Sequence, residues 1–252
     1  MKIVLLLLAL AATVAAGFYA FKTQACRVAL TPEQARRLRE AYRPEALAYF
    51  GEIAFGNDPG TLSPTIHRWN RPVVRVKIVT PCTAAEQREV QRVLADLNAI
   101  SHATRFVLGP GAPDLSIHFV PIQELSRVFR GHDGSANGLF GFRTTTCGEI
   151  TSATVAVANN MTFAGHEESI IREEIAQSIG LPRDTRRYPK SVFSSRRQVF
   201  IDESPGNTYG LFATEFLPID QQVISILYNS GIPVNTTLAD FTSSVLAPAA
   251  GR

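Results

Sequence analysis

An uncharged apolar run near the amino terminus constrains this chain more than any other feature. Residues 3–21 contain no charged side chain, and Lys2 and Lys22 flank the run. Its length is close to the roughly 20 apolar residues that span a bilayer. A basic residue, an apolar stretch and small residues at positions 14–16 are also typical of a secretory signal. We therefore expect residues 1–22 to be a signal peptide or a membrane anchor, rather than a buried helix of the domain that residues 28–252 form.

Export would place the folded part in the periplasm or cell envelope, an oxidising compartment where disulfides persist. Cys82 and Cys147 both lie in that part, and we predict that they pair. Such a bridge would close a loop of about 65 residues and stabilise the fold by roughly 4 kcal/mol in the chain-entropy model. The alternative is two buried free thiols. Cys26 is left over, close to the apolar run.

Composition excludes several classes of protein. Hydrophobic residues make up 45% of the chain and charged residues 19%, so the chain is not disordered as a whole. The net charge of +3 is too small to indicate nucleic-acid binding. Three cysteines are too few for a disulfide-dense scaffold or a zinc site made of four cysteines.

Apolar periodicity and turn residues predict the order of the elements. The predicted helices are 32–43, 44–56, 84–100, 122–129, 166–179 and 218–228, and the predicted strands are 72–79, 105–108, 115–120, 140–146 and 150–158. The glycine-rich stretch 131–141 lacks the Lys-Ser/Thr pair of a phosphate-binding loop, so we interpret it as a turn. No linker divides these elements, which predicts a single α+β domain.

The segment 170–184 is the most informative stretch, and it contains the pattern E-E-x-x-Q-x-x-G-L-P-x-D. Ile171, Ile175 and Ile179 are four residues apart, which predicts one buried helical stripe. Glu173 and Gln177 are also four apart and share a different face of the helix. An ordinary polar helix face is the simplest alternative interpretation.

This spacing resembles the zincin motif H-E-x-x-H-x-x-G-x-x-H-D, in which histidines bind zinc and the glutamate polarises the attacking water. Glu173 stands at the first ligand position and Glu174 at the general-base position. The second ligand position is Gln177, and Gly180 matches the turning glycine. Arg183 stands at the third ligand position, and Asp184 follows it.

A downstream segment extends the resemblance. Residues 217–228 resemble the metzincin C-terminal helix, which often begins S/P-x-D and ends in L-Y. More closely, the chain resembles an uncharacterised bacterial family of exported zincin-like proteins, a domain of unknown function. Its marks here are residues 53–56, Arg68-Trp69, the motif segment and the late L-Y helix. The resemblance implies a zincin-like mixed sheet with an edge hairpin, a motif helix and a C-terminal helix.

The departures from the motif decide the expected chemistry. Both histidines of the helix are replaced, glutamine is a poor zinc ligand, and an arginine at position 183 cannot bind zinc at all. We therefore expect no zinc and no other cofactor. The oxygen ligands of Glu173, Gln177 and Asp184 would suit a hard cation better than zinc. We also expect Arg183 or a neighbouring cation of its loop to pair with Glu173 or Glu174 in place of a metal.

The remaining polar features carry less information. The five histidines have no ligand spacing with one another. The loop after the motif has six cations and one acid over residues 183–197. Anionic glycans or lipid headgroups could dock there, although a solvated loop that pairs with acids elsewhere is the simpler interpretation.

Three functional hypotheses follow. The first is an exported zincin-like protein that has lost its metal and acts by binding an envelope protein, a peptide or a glycan. The second is an active metal-assisted hydrolase with Glu174 as general base. The third is an envelope assembly protein in which the motif helix is plain core. Nucleic acid is not an expected partner, and the membrane is one only through residues 3–21 if that segment is not cleaved.

Overall fold

The computed structural model describes residues 26, 28–55, 65–130, 136–160, 165–195, 199–201, 208–210 and 212–247. The predicted signal or anchor at residues 3–21 lies outside these ranges, as do Arg196 and Arg197 of the basic loop. Within the described ranges, no helix combines the length and the apolar character that a membrane crossing needs.

Two short helices open the described chain, as the sequence predicts. Helix α1 is Pro32–Ala41, and a reciprocal pair of hydrogen bonds between Thr31 and Gln34 caps its first turn. Helix α2 is Pro44–Ile53, and it begins at the proline that ends the first helical pattern. One face of α2 is fully buried, so this helix forms part of the core.

A five-stranded mixed sheet forms the centre of the fold, and its order is β2-β1-β3-β5-β4. The strands are β1 Val73–Ile78, β2 Arg105–Leu108, β3 Leu115–Val120, β4 Gly138–Thr144 and β5 Ile150–Ala158. Strands β1, β2, β3 and β5 run parallel, whereas β4 is an antiparallel edge strand paired with β5. The chain is therefore an α+β protein with a mixed sheet, the class that the order of elements predicts.

Helices cover both faces of this sheet. Helix α3, Ala84–Ile100, follows β1 and carries the predicted buried stripe that includes Val90, Val93 and Leu97. A three-residue turn, Ile122–Glu124, leads into the short helix α4, Leu125–Val128, which packs on the opposite face. Helix α5, His166–Ser178, is the motif helix, and it lies against β4 and β5.

The remaining elements complete the fold around α5. A small hairpin of β6, Val199–Ile201, and β7, Thr208–Gly210, precedes α6, Pro218–Asn229. Helix α7, Leu238–Phe241, continues into a π-helical segment, Thr242–Leu246. The sequence patterns predict α6 but not the β6–β7 hairpin, whose strands have only three residues each.

The interpretation of the glycine-rich stretch 131–141 as a turn is wrong for residues 138–141. Strand β4 already begins at Gly138, and Gly141 lies inside it. A Cβ at Gly138 would overlap Ile170 of α5, and one at Gly141 would lie 3.0 Å from the Phe129 ring. These glycines let flanking elements approach the edge strand closely, so here glycine indicates close packing rather than a turn.

The predicted Cys82–Cys147 disulfide is wrong. Cys147 pairs with Cys26, with 5.0 Å between the two Cα atoms, and Cys82 is a free, partly exposed thiol. Cys82 follows the carboxyl end of β1, whereas Cys147 precedes the amino end of β5. Because these strands point the same way in one sheet, the two cysteines sit at opposite ends, roughly 20 Å apart for strands of six residues.

Candidate functional site

The three motif side chains on α5 are buried. Glu173, Glu174 and Gln177 are each only 5% exposed. An ordinary solvated helix face is therefore wrong as an interpretation of this pattern. Because all three are buried, these side chains do not form an open surface either.

Gln177 and Asp184 contact each other across the turn that follows the helix. The amide nitrogen of Gln177 donates a hydrogen bond to Asp184 Oδ1 at 2.6 Å. Gly180 makes this return possible because its φ is +116°, a conformation that side chains rarely adopt. The resemblance implied that this glycine turns the chain back toward the helix, and the backbone follows that path.

Glu174 packs directly against the edge strand. A Cβ at Gly138 would lie 2.6 Å from Glu174 Oε1 and 2.8 Å from its Cγ. The carboxylate therefore occupies the space that any side chain larger than glycine would fill on β4. Both Glu173 and Glu174 make further interactions. The structure thus places the general-base position of the motif beside the strand at the edge of the sheet.

Arg183 does not pair with the motif carboxylates. Its side chain is exposed, and its backbone N–H donates to Ile53 O at 3.2 Å. Across the described loop cations at 183–190, the ion pair found is between Arg187 and Glu52 rather than with Glu173 or Glu174. The prediction is therefore wrong for Arg183, while Arg196 and Arg197 lie outside the described residues.

The basic loop, residues 183–197, is bound to α2 through Glu52. Burial alone would raise the pKa of Glu52, but hydrogen bonds from Arg187 and Thr185 outweigh it and lower that pKa below its usual range. Tyr188 also packs edge-on against Tyr49, with 4.7 Å between ring centroids. The described part of the loop is thus held in place, and it presents Arg183, Arg186 and Lys190 to solvent.

A buried arginine on the motif helix was missed by the sequence reasoning. Arg172 is fully buried, and it donates to Asp96 Oδ2 at 2.7 Å and to Glu89 Oε1 at 3.3 Å on α3. The Phe216 ring covers its guanidinium at 4.7 Å. Its sequence signal is a single cation among the isoleucines of a buried helix, which indicates an internal partner.

A second buried polar chain ties the basic loop to α6. Ser191 Oγ donates to Asp220 Oδ1 at 2.6 Å, and Tyr49 OH lies 2.6 Å from the same hydroxyl. Asp220 also accepts from the backbone N–H of Leu217 at 3.0 Å, which caps α6. Asp220 of the P-x-D pattern therefore caps α6 and also binds Ser191 of the basic loop through a hydrogen bond.

Asp220 predicts a pH dependence of stability. Burial raises the pKa of Asp220 to about 6 from its usual value of 3.8, and its hydrogen bonds offset this only in part. Between these values the folded chain retains a proton that the unfolded chain releases, so the free energy of unfolding falls as pH rises from about 4 to about 6. Asp220→Asn lacks this group. Urea unfolding measures the free energy of unfolding of both proteins across this range. As pH rises, the parent should lose up to about 3 kcal/mol of this free energy relative to the variant. A difference that does not change with pH would contradict the assignment.

Metal-binding side chains do not converge within the described ranges. No group of three or more His, Cys, Asp or Glu residues there has an arrangement that could hold a metal ion. Gln177 and Asp184 satisfy each other through their hydrogen bond, and the side chain at the third ligand position turns outward. A cavity of about 350 Å³ lies elsewhere, between α3, α5 and residues 214–221, and Arg172 forms part of its wall.

Comparison with known families identifies the chain. Residues 44–202 match the family described as a protein of unknown function, DUF2927. The chain belongs to the DUF2927 family. The match runs from α2 to β6, and it includes the motif helix and the basic loop. A comparison with curated proteins gives no significant match.

The segments that suggested an uncharacterised family meet at the end of α5 in this DUF2927 protein. Gly180 lies against the backbone of His67 and Arg68, so closely that a Cβ would overlap the His67 carbonyl oxygen. Arg68 donates to Leu227 O at 2.9 Å and to Ile232 O at 2.8 Å, and thereby caps the end of α6. The sequence segments that carry the family resemblance therefore meet at one place in the structure.

The L-Y helix closes the same junction from the other side. Tyr228 OH donates to Ile179 O at 2.8 Å, which satisfies a carbonyl at the end of α5. Burial raises the pKa of Tyr228 far above its usual range, so the hydroxyl stays protonated and can donate. The DUF2927 motif region is thus anchored by α6, although the family match itself ends before that helix.

Proposed function

We propose that this protein is an exported cell-envelope protein with a zincin-like, metallopeptidase-like architecture that acts by binding rather than by hydrolysis. The mixed sheet with an antiparallel edge strand beside the motif helix supports the zincin resemblance. The hydrogen bond between Gln177 and Asp184, together with the outward Arg183, supports the loss of metal ligation. The sequence of residues 1–22 supports export.

The outward backbone groups of the edge strand β4 are the observation that best supports a binding function. Asn137 O accepts a hydrogen bond from Ala158 N on β5. Antiparallel ladders alternate, so Leu139, Gly141 and Arg143 also bond to β5, and the residues between them turn their backbone groups outward. The described residues supply no hydrogen-bond partner for the outward groups of Gly138, Phe140 and Phe142. Such a row is a template for an extended peptide, which would add a sixth strand.

Phe140 and Phe142 give this edge a recognition surface. Their side chains lie on the α5 side of the sheet, two residues apart, with 6.2 Å between their ring centroids. Both are half-buried, so part of each ring remains accessible. A bound strand would place alternate side chains beside these rings. The proposed partner is therefore an extended, apolar-containing segment of an envelope protein or a free peptide.

A proline substitution in strand β4 tests peptide binding. Phe140→Pro removes one outward N–H and leaves the bonds to β5 intact, whereas Phe140→Ala removes only the side chain and is the matched control. With peptides selected by phage display against the parent protein, we expect the proline variant to lose roughly ten-fold or more affinity relative to the alanine variant. Equal affinities of the two variants would show that the peptides do not pair with β4.

The hydrolase alternative has its own test. Purified protein is analysed for bound metal and for cleavage of an unstructured protein substrate, with Glu174→Gln compared to Glu168→Gln on the same helix. We expect no stoichiometric metal, and no cleavage that depends on Glu174. Stoichiometric metal together with cleavage lost only in Glu174→Gln would replace the binding proposal by the active hydrolase with Glu174 as general base.

A further inference from the structure

The disulfide joins the beginning of the described chain to one end of the sheet. Cys147 lies between β4 and β5, immediately before the amino end of β5. Strands β1 and β2 run parallel to β5, and Val73 pairs with Arg105, so the amino ends of these three strands lie at the same end of the sheet. Strand β3 begins further along, where Leu115 pairs with Val76. Cys26 is therefore fixed to this end.

Arginines collect at this end. Arg71 and Arg75 flank the start of β1, Arg105 begins β2, and Arg143 lies near the last residue of β4. The side chains of Arg71 and Arg75 are 36% and 62% exposed, and Arg105 and Arg143 are also exposed. We call these four residues the basic end.

The acids nearby only partly neutralise the basic end. Asp114 pairs with Arg71 at 2.8 Å and with Arg75 at 3.0 Å, and Glu149 precedes β5. Four arginines against two acids leave an excess of two positive charges. Arg105 and Arg143 lie on strands at opposite edges of the sheet. The excess is therefore spread over about 19 Å, because neighbouring strands lie about 4.8 Å apart.

Several acids lie at the opposite end of the sheet. Glu86 in the first turn of α3 lies beside Glu167 and Glu168 in the first turn of α5. Both helices start where the parallel strands end, so these acids gather at the carboxyl end of the sheet. An anionic surface would attract the basic end more strongly than this end.

The sequence places the apolar run close to the basic end. The run ends at Lys22, four residues before Cys26. Four residues span at most about 14 Å in any conformation. If residues 3–21 stay in the membrane, as the proposed function allows, the disulfide holds the basic end within that reach of the bilayer surface. An anionic membrane attracts cations close to its surface, and the attraction falls off within a Debye length, so this tether keeps the basic end near the range in which it acts.

We propose that the basic end is a docking surface for anionic lipid headgroups, and that the Cys26–Cys147 disulfide orients the domain so that this end faces the membrane. The β4 edge then stands roughly upright, with its Gly138 end directed away from the bilayer and accessible to a partner. This inference rests on the export in the proposed function, with residues 3–21 uncleaved, and is independent of peptide binding.

Hydrogen exchange on the full chain in lipid nanodiscs tests the proposal. The discs contain phosphatidylcholine alone, or phosphatidylcholine with about 30% phosphatidylglycerol. We expect exchange in the turns at residues 102–104 and 144–147 to slow roughly ten-fold in the anionic discs. The turns at residues 79–83 and 121–124, at the carboxyl end of the sheet, serve as internal controls and are not expected to change.

Variants separate charge from tethering. Arg105→Ala with Arg143→Ala should abolish the slowing, whereas the control pair Arg37→Ala with Arg127→Ala, which are exposed elsewhere, should preserve it. Cys26→Ser with Cys147→Ser should reduce the slowing, because the domain then turns freely about its tether. Slowing that survives loss of the disulfide would overturn the orienting role.

The remaining outcomes also decide the proposal. Equal exchange in neutral and anionic discs would overturn it. Slowing produced equally by a soluble anionic polysaccharide in neutral discs would assign the basic end to glycans instead of lipid. A mature protein whose mass shows cleavage before Cys26 would overturn membrane orientation in the cell while leaving export and peptide binding at β4 intact.

Discussion

Replacing Arg172 with methionine is expected to destabilise the protein by about 3 kcal/mol, because it removes the hydrogen bonds of a buried guanidinium to Glu89 and Asp96 and leaves Glu89 with only the exposed Arg92 as a charged partner. The arginine is fully buried, and Glu89, its partner on α3, is only 5% exposed. Methionine fills much of the same volume, so the loss reports charge and hydrogen bonding more than a cavity. Urea unfolding under non-reducing conditions measures the change.

Arg92 provides a matched control for this prediction. It pairs with the same carboxylate, Glu89, at 2.7 Å, but its side chain is 52% exposed. Arg92→Met should therefore cost at most about 1 kcal/mol. Burial raises the pKa of Glu89, while the two arginines oppose this rise. Loss of Arg172 should thus cost more at neutral pH, where Glu89 must be charged, than near pH 5. Equal losses in the two variants would contradict the buried-pair account.

Gly180→Ala is expected to cost about 3–5 kcal/mol, since backbone strain and steric overlap act together at this position. The φ of +116° lies outside the regions that alanine adopts readily, and the added Cβ would overlap the His67 carbonyl oxygen. Relief would require the α5 turn to move away from residues 67–68. That movement would also break the contact between Gln177 and Asp184. Thermal or urea unfolding measures the loss.

The control variant Gly231→Ala separates backbone strain from steric overlap. Gly231 also has a positive φ, +73°, but a Cβ there would meet no atom within 4 Å. This control should cost only about 1–2 kcal/mol from the backbone conformation. If Gly180→Ala cost no more than Gly231→Ala, the close approach of the chain segments around α5 would not be essential to the fold.

Local sequence signals determined most of the secondary structure. The Thr31 and Thr83 caps, the Pro44 break and the periodic stripe on α3 act through neighbouring residues, and the structure places helices at these positions. The alternation at 72–79 and the apolar strands that follow likewise predicted the parallel part of the sheet. These signals are local, because capping and periodicity depend on residues within a few positions.

The motif spacing determined part of the candidate site. It correctly singled out Gly180 as a turn and brought Gln177 and Asp184 into one region. The same spacing could not show that the carboxylates of Glu173 and Glu174 are buried, because burial depends on elements remote in the chain. The sequence likewise cannot show that Gly138 serves close packing, because the helix that packs against it, α5, is remote in the chain.

Only the tertiary structure decided the long-range pairs. Cys26 rather than Cys82 meets Cys147, because strand direction places Cys82 at the far end of the sheet. Arg172 finds its acids on α3, more than seventy residues earlier in the chain. The sequence by itself determined most of the helices and the strands of the main sheet, since capping and periodicity are local. The sheet topology decided which distant groups meet, because pairing across a sheet or between helices depends on strand order and direction.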